Sequence, residues 1–452
     1  MQRKLQTYLR GLARKMLGSQ YDGNRNIYSA LGYPETIEWK EYWNQYERQD
    51  IANAIINRPI DQTWRGPLIL QELKKEESEF ARAWKELEWN LRIKNKFVRV
   101  DKLSGIGRYA VLFCGFNDVD GDKITTETEV VATDNLKLVY LTPYSEDAAK
   151  IMTWEKDHTN PRFGMPLTYQ INASTENGAF TKTLKVHYSR ILHITGETLT
   201  SEVYGIPTLQ KVFNRLMDLE KLVGASAEMF WRGARPGYSA NIDPEYSQPD
   251  GFDNTMEEKL EDYENDLRRI LTLEGVDMKA LETQIEDPSN HISAQITMIS
   301  VATGIPKRIL EGSERGELAS SQDVDSWHSI IQVRRDEFAE NEIIGKFVDR
   351  MIVLGILPVI TAWEVLWTPL AVPSEKERAE VGKVRATALK EYFSNPAAQE
   401  AIPPESFMKF FLGFSDSEIE IINANIEEIL AGESEIDKIL KEAEEIEKEN
   451  EE

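Results

Sequence analysis

A chain of 452 residues that is 41% hydrophobic and 9% aromatic carries enough apolar mass for two or three folded domains, which excludes an intrinsically disordered protein. Its 77 acidic against 53 basic side chains leave a net charge of −24, which argues against a protein that coats DNA through a basic face. Such a charge fits plain solubility, or a conduit that lets DNA pass without gripping it. One cysteine, Cys114, excludes an intramolecular disulfide and fits a reducing compartment, as a small buried hydrophobe.

Residues 1–20 lack the continuous apolar core of a signal peptide. Arg3, Lys4, Arg10, Arg14 and Lys15 occur there without an acidic residue, and Leu5, Tyr8, Leu9, Leu12 and Met16 share a helical face. That pattern fits a short docking helix, a frayed terminus, or an arm against DNA or a membrane surface. Residues 35–58 are helical in pattern and stop at Asn57-Arg58-Pro59. A charged helix is predicted over 68–91. Trp64, Trp84 and Trp89 are expected in the core, because no basic strip accompanies them.

From 96 to 195 the pattern changes to short β-type runs at 97–100, 109–116, 126–132, 136–141, 167–172 and 183–187, separated by Gly, Asp and Asn turns. Asp118-Val119-Asp120-Gly121-Asp122, with Glu129 downstream, imitates a calcium loop. However, Lys123 stands where glycine is required and strands flank the segment, so a β-hairpin turn is expected. His158, His187, His193, His291 and His328 have no metal-ligand spacing. No phosphate loop, H-E-x-x-H or G-x-S-x-G occurs, and Gly105-Ile106-Gly107-Arg108 is too short to imply a nucleotide site. ATP hydrolysis is not expected.

Tyr204-Gly205-Ile206-Pro207 opens a long helix over 208–234, roughly 40 Å at the α-helical rise. Its apolar stripe is Leu209, Val212, Phe213, Leu216, Leu219 and Val223, and Arg232 and Arg235 complement the dipole at its end. Residues 236–286 read as a strand at 238–242, a loop, a helix opened by the capping box Thr255-Met256-Glu257-Glu258, and a hairpin of 269–273 with 278–285. Asp287 caps a helix beginning at Pro288, which carries Ile292, Gln295, Ile296 and Ile299 and ends at Gly304 before Ile305-Pro306. A charged glycine loop follows over 305–321, then a helix over 322–354 with Val324, Trp327, Ile331, Phe338 and Ile344, and a strand over 360–366. The apolar stretch 343–360 contains Lys346, Asp349, Arg350 and Pro358, and so reads as a buried helix, not a membrane span. Ser374-Glu375-Lys376-Glu377 opens C-terminal helices at 375–393, 404–412 and 416–431. The acidic tail 433–452 has Ile436, Ile439, Leu440, Ala443 and Ile446 on one side, and could order only against another surface.

Two stretches carry a resemblance. One is Gly304-Ile305-Pro306, then Leu310, Gly312 and Ser320-Ser321-Gln322-Asp323 ahead of a long helix. The other is Arg58-Pro59-Ile60-Asp61-Gln62-Thr63-Trp64-Arg65. In order and spacing they resemble the portal proteins of tailed phages, over about residues 42–378. The resemblance implies an α+β portal fold: an N-terminal arm (1–34), a wing of helices and strands (35–207), a first stem helix (208–235), a β-α-β-β clip (236–286) and a second stem helix (287–304). A tunnel loop (305–321), a tunnel helix returning to the wing (322–373), and a helical crown with an acidic tail (374–452) would complete it. It implies a homo-oligomeric ring, usually of twelve copies, at one capsid vertex in the virion, assembled in the host cytoplasm. Double-stranded DNA would pass through the ring. A large terminase subunit, a head–tail connector or adaptor, and a major capsid or scaffold protein would bind it; no membrane, cofactor or catalysis is implied. Lys307, Arg308, Glu311, Gly312, Arg315 and Gly316 are the tunnel-loop candidates for contact with DNA. Two rival readings stand beside it: an acidic capsid or scaffold protein, and a metal-dependent hydrolase using Asp118, Asp120 and Asp122.

Overall fold

The computed structural model describes residues 26–73, 77–118, 129–133, 135–174, 181–234, 238–242, 276–280, 287–312, 321–371, 375–414, 419, 421–423 and 425. The chain divides into two compact units, Met1–Leu370 and Ala371–Glu452. The larger unit begins with helices α1 (Ile27–Leu31), α2 (Trp39–Arg48) and α3 (Asp50–Thr63). The single helix expected over 35–58 is broken at Gln49, whose side chain accepts from the Ala52 N–H and caps α3. Pro59 does not stop α3. An internal proline costs roughly 3 kcal/mol, but Ile55, Ile56 and Ile60 on either side of it are buried, each burial contributing about 1.5–3 kcal/mol.

Residues 69–72 are not helical either. They form β1 (Ile69–Glu72), which pairs antiparallel with β10 (Trp363–Leu366). The helix starts only at Ser78, which caps α4 (Glu79–Leu91). Trp64 and Trp84 are in the core, whereas Trp89 is 84% exposed, contrary to expectation. The run 97–100 is helical, inside α5 (Ile93–Ile106). Ile93, Phe97 and Val100 are all buried, and their spacing of four and three puts them on one helical face, where a strand would split them.

Strand β2 (Ala110–Phe116) lies between β3 (Leu138–Ser145) and β7 (Ile191–Ile194), antiparallel to both. All of β2 is buried because both of its faces are covered. Ala110, Leu112, Cys114 and Phe116 join the main core with Phe97 and Val100. Val111 and Phe113 point the other way, into a second core with Tyr169, Ile171 and Val186. Those three belong to a second antiparallel sheet, ordered β4 (Ala149–Trp154), β5 (Pro166–Ser174), β6 (Thr181–His187). β4 and β7 are absent from the predicted runs. β7 has only four residues, and register shifts interrupt the alternation of β4. Burial pushes the Cys114 thiol up to about 12, so it behaves as the inert hydrophobe its residue type suggests.

The run 126–132 is not a strand where it is described, from 129 onward. Val130 instead donates its N–H to Ser189 Oγ at 3.0 Å. β2 and β3 do pair, but the chain between them spans 117–137, so Asp118 does not sit in a tight hairpin turn.

A short 3-10 turn, Thr208–Val212, leads into α6 (Phe213–Ala234). β8 (Tyr238–Ile242) pairs antiparallel with β9 (Val276–Ala280), with Ile242 opposite Val276 and Tyr238 opposite Ala280. Val276 and Asp277, expected in the turn of a hairpin, are strand, and their partner is 238–242; residues 269–273, the other arm of that hairpin, lie outside the described residues. Both strands alternate apolar and polar residues, the period a two-stranded ribbon requires. Next come α7 (Ser289–Thr303) and α8 (Lys307–Glu311). A continuous helix then runs through α9 (Ser321–Arg334), a π-helical stretch Arg335–Gly345, and α10 (Lys346–Val353).

The smaller unit holds α11 (Glu375–Phe393), α12 (Pro396–Ala401) and α13 (Pro404–Phe410). α12, which the pattern reading lacks, has Asn395 as its cap and proline at its first position. Met408, Leu412 and Ile419 make a small core with Ala388 and Leu389, and Tyr392 stacks on Phe407 at 4.1 Å. Residues 419, 421–423 and 425 are helical, as expected for 416–431. The arm 1–20, the capping box at 255, the expected cap Ser374 and the tail 433–452 lie outside the described residues.

Candidate functional site

Helices α6 and α7 pack along one another at the base of α6. Phe213, Leu216 and Leu219 are buried there with Ile296 and Ile299. Phe213 also meets Tyr42 of α2 edge-on at 5.6 Å, and Arg215 donates to Gln295 Oε1 at 3.5 Å. Tyr33 reinforces this root, its hydroxyl 2.6 Å from both Asp218 oxygens. Beyond Leu219 the apolar stripe of α6 continues without cover: Val223 and Phe230 are each 48% exposed. On α7, Met298 and Val301 are likewise exposed, Val301 by 76%. Between these helices the chain passes through the paired strands β8 and β9.

The start of α7 is local chemistry. Asp287 Oδ1 accepts from the Ser289 N–H at 3.0 Å and from its hydroxyl at 2.5 Å, which holds the Asp287 carboxyl below its usual range. Pro288 itself takes the cap position. Its end is equally local: Gly304 has φ +71°, the left-handed conformation that closes a helix and favours glycine. Ser300 Oγ then donates to Ile305 O at 2.6 Å, fixing the turn into α8.

The predicted charged loop starts as a helix. Lys307, Arg308 and Glu311 all lie on α8, whose Leu310 is buried. Lys307 donates to Ser293 Oγ of α7 at 2.5 Å and stands 3.6 Å from Glu311 Oε1. Gly312 ends α8 with φ +81°. Arg315 and Gly316 lie outside the described residues.

Pattern reading misses a polar cluster that anchors the long helix. Asp101, fully buried on α5, accepts from Trp64 Nε1 at 2.6 Å and from Arg334 Nη2 at 2.5 Å. Arg334 also donates to Thr63 Oγ1 at 3.0 Å. The next residue, Arg335, is buried and gives its three nitrogens to carbonyls: Nε to Thr63 O and Nη1 to Thr368 O at 3.0 Å, and Nη2 to Gln62 O at 3.4 Å. Its guanidinium carbon lies 4.9 Å from the centre of the Trp367 ring. Gln62 and Thr63 form the last turn of α3, whose carbonyls have no partner within the helix and favour a cation. The stretch Arg58–Arg65 thus has a structural role: Trp64 holds Asp101, and Asp61 pairs with Lys102 at 2.9 Å. An Arg-Arg doublet within an amphipathic helix was the only available signal for the other half of the cluster.

The acidic segment after β2 does different work. Asp118 receives Arg190 in a two-pronged contact at 2.9 and 2.5 Å. Asp120 and Asp122 lie outside the described residues. Among the described residues no His, Cys, Asp or Glu side chains group in a way that could hold a metal ion. His193 is packed against Tyr109 at 4.7 Å with its Nε2 2.8 Å from Val203 O, and burial brings its pKa down to about 4. Among the described residues no helix is long and apolar enough to cross a membrane.

The sequence profile of the phage portal proteins matches residues 40–391, most of the chain. The chain belongs to the phage portal protein family. Portal proteins are structural proteins of the virion, at the connection between head and tail. No curated protein sequence matches this portal chain. Solved structures similar to it include the neck of a native gene transfer agent particle computed with C12 symmetry, at TM-score 0.52 and 12% identity, covering 83% of this chain and 94% of that one. The neck of the empty particle computed with C6 symmetry gives 0.51 and 14%, covering 86% and 98%. At that identity the likeness is one of fold. The portal chain is accordingly a mixed helix-and-sheet protein of portal type.

Proposed function

We propose that this chain forms a homo-oligomeric ring, of about twelve copies as in the C12 neck it resembles, at one vertex of a virion capsid. Double-stranded DNA passes through the ring during packaging and ejection. The ring carries no catalytic site of its own; a large terminase subunit docks on it to do the work, and a tail connector or adaptor and a capsid or scaffold protein bind it too. In this reading residues 208–235 and 287–304 are stem helices, 236–286 the clip, 305–321 the tunnel loop, 322–373 the tunnel helix and its return to the wing, and 374–452 the crown. Lys307, Arg308, Glu311, Gly312, Arg315 and Gly316 stand at or near the channel. The net charge of −24 suits a lumen that does not hold phosphates tightly.

The observation that carries the reading is the family match over 40–391. The side-by-side packing of α6 and α7, bridged by the strand pair β8–β9, supports the stem-and-clip assignment. Native mass spectrometry with negative-stain imaging of the purified chain tests it. A closed ring with an axial hole is expected; a compact monomer or an extended shell overturns the proposal.

A further inference from the structure

The long helix changes register in its middle. π-helical hydrogen bonding rarely extends beyond a single turn, yet here it covers 11 residues, Arg335–Gly345. Two contacts spanning five residues match this wide form. Asn341 Nδ2 donates to Asp336 O at 3.0 Å. Gly345 lies so close to Glu340 O that a Cβ at that position would stand 2.9 Å from it. A side chain at 345 would therefore push against the wide turn, and glycine leaves it room.

Both flanks of the stretch are tethered to the body. On the C-terminal side, Phe347, Val348 and Met351 of α10 are buried in the main core. On the N-terminal side Trp327 and Ile331 of α9 are buried in the same core, and polar anchors add to them. Arg334 reaches Asp101 and Thr63 Oγ1, and Arg335 reaches Gln62 O, Thr63 O and Thr368 O. All of these acceptors belong to other elements, so any rotation of α9 has to release them.

We propose that the long helix is a two-register element: residues 335–345 can tighten from π to α, turning α9 about its axis relative to α10, with Arg334 and Arg335 as the catch that holds the wide register. An α-helix turns by about 100° per residue, so each residue taken up by tightening turns α9 through a large fraction of a circle. Ile331, now buried, and Val333, now 51% exposed, lie on different sides of α9, and such a turn brings Ile331 toward solvent. The wide register is favoured by the arginine contacts and the α register by regular backbone hydrogen bonding, so whatever competes for the arginines or pulls on α9 shifts the balance. The switch does not depend on the channel reading, because it resides in one chain.

Maleimide labelling of the full-length protein under native conditions tests it. The natural Cys114 is buried and serves as a silent background. Ile331→Cys reports rotation of α9, and Phe347→Cys, on α10 in the core, reports general unfolding. Adding Arg334→Gln should raise labelling at 331 by about tenfold or more beyond any rise at 347. No rise at 331, or an equal rise at both, overturns the proposal. Gly345→Ala gives an independent reading. In a wide helix the new Cβ meets Glu340 O, and Tm should fall by about 2–4 °C. In an α-helix the same change favours the helix, so an unchanged or raised Tm overturns the proposal.

Discussion

The two long helical segments of the larger unit share one apolar core but differ in how much of their length is held. The helix α9–α10 has, besides Ile331, Phe347, Val348 and Met351 in the main core, a buried polar cluster whose hydrogen bonds are made within the chain: Asp101 to Trp64 and Arg334, Arg335 to three carbonyls. Among the described residues, the pair α6–α7 is fixed at its root, by Phe213, Leu216, Leu219, Ile296 and Ile299 and by the Tyr33–Asp218 hydrogen bond. Further along α6, Val223 and Phe230 are half exposed, and on α7 Met298 and Val301, neighbours of the buried Ile296 and Ile299, stand in water. A satisfied buried network is complete in itself and specifies one geometry. An apolar stripe that outruns its partner invites another surface. The first segment belongs to the folding of one chain, and on the proposed reading the second belongs to what that chain assembles with.

The largest effect expected from breaking this contrast is at Asp101. Asp101→Ala leaves Arg334 without its carboxylate and the Trp64 indole N–H without its acceptor in a dry site, and should cost about 3–5 kcal/mol by denaturant unfolding. A loss below about 1 kcal/mol would mean that the cluster does not organise the body. Arg335→Met keeps the apolar stem but takes the guanidinium donors from the carbonyls of Thr63 and Thr368, with an expected loss of about 1–3 kcal/mol.

Acid should also weaken the body. His193 is held neutral by burial, with its folded pKa near 4 against 6.5, and with the Lys346 and Arg162 charges acting in the same direction. The unfolded chain then binds the extra proton between those values, so the stability contribution is complete above pH 6.5 and is lost as pH falls toward 4. Urea midpoints across this range should decline, and less steeply in His193→Phe; equal slopes would remove His193 as the cause.

The smallest effects on folding, within about 0.5 kcal/mol, are expected for Phe230→Ala and Val301→Ala. On the proposed reading the same changes reduce the ring fraction seen by native mass spectrometry. Deletion of 312–316 should leave rings intact but impair DNA packaging or retention; loss of the ring itself would make that segment structural.

Much of the helix pair was legible beforehand. The stripe from Leu209 to Leu219, the Asp287-Pro288 start and the Gly304 stop are local signals, each set by residues within a turn or two. The polar cluster was not legible. Asp101 and Arg334 are far apart in the chain, and each looks in isolation like a residue of a solvated helix face. The misread runs have the same origin. Ile69–Glu72 becomes a strand only because Trp363–Leu366 comes to lie beside it, and 97–100 stays helical because Ile93, Phe97 and Val100 face one core. Trp89 went the other way, remaining outside although its residue type belongs within.

By itself, then, the sequence determined the start and stop of α7, the acidic balance, and the motif order that marks the portal family, since these depend on neighbours in the chain or on residue counts. Only the tertiary structure decided which charges are buried, which strands have partners, that α3 runs through Pro59, and that the long helix widens at 335–345. Those outcomes rest on groups brought together from distant positions, where burial and hydrogen bonding outweigh the preferences of any short stretch.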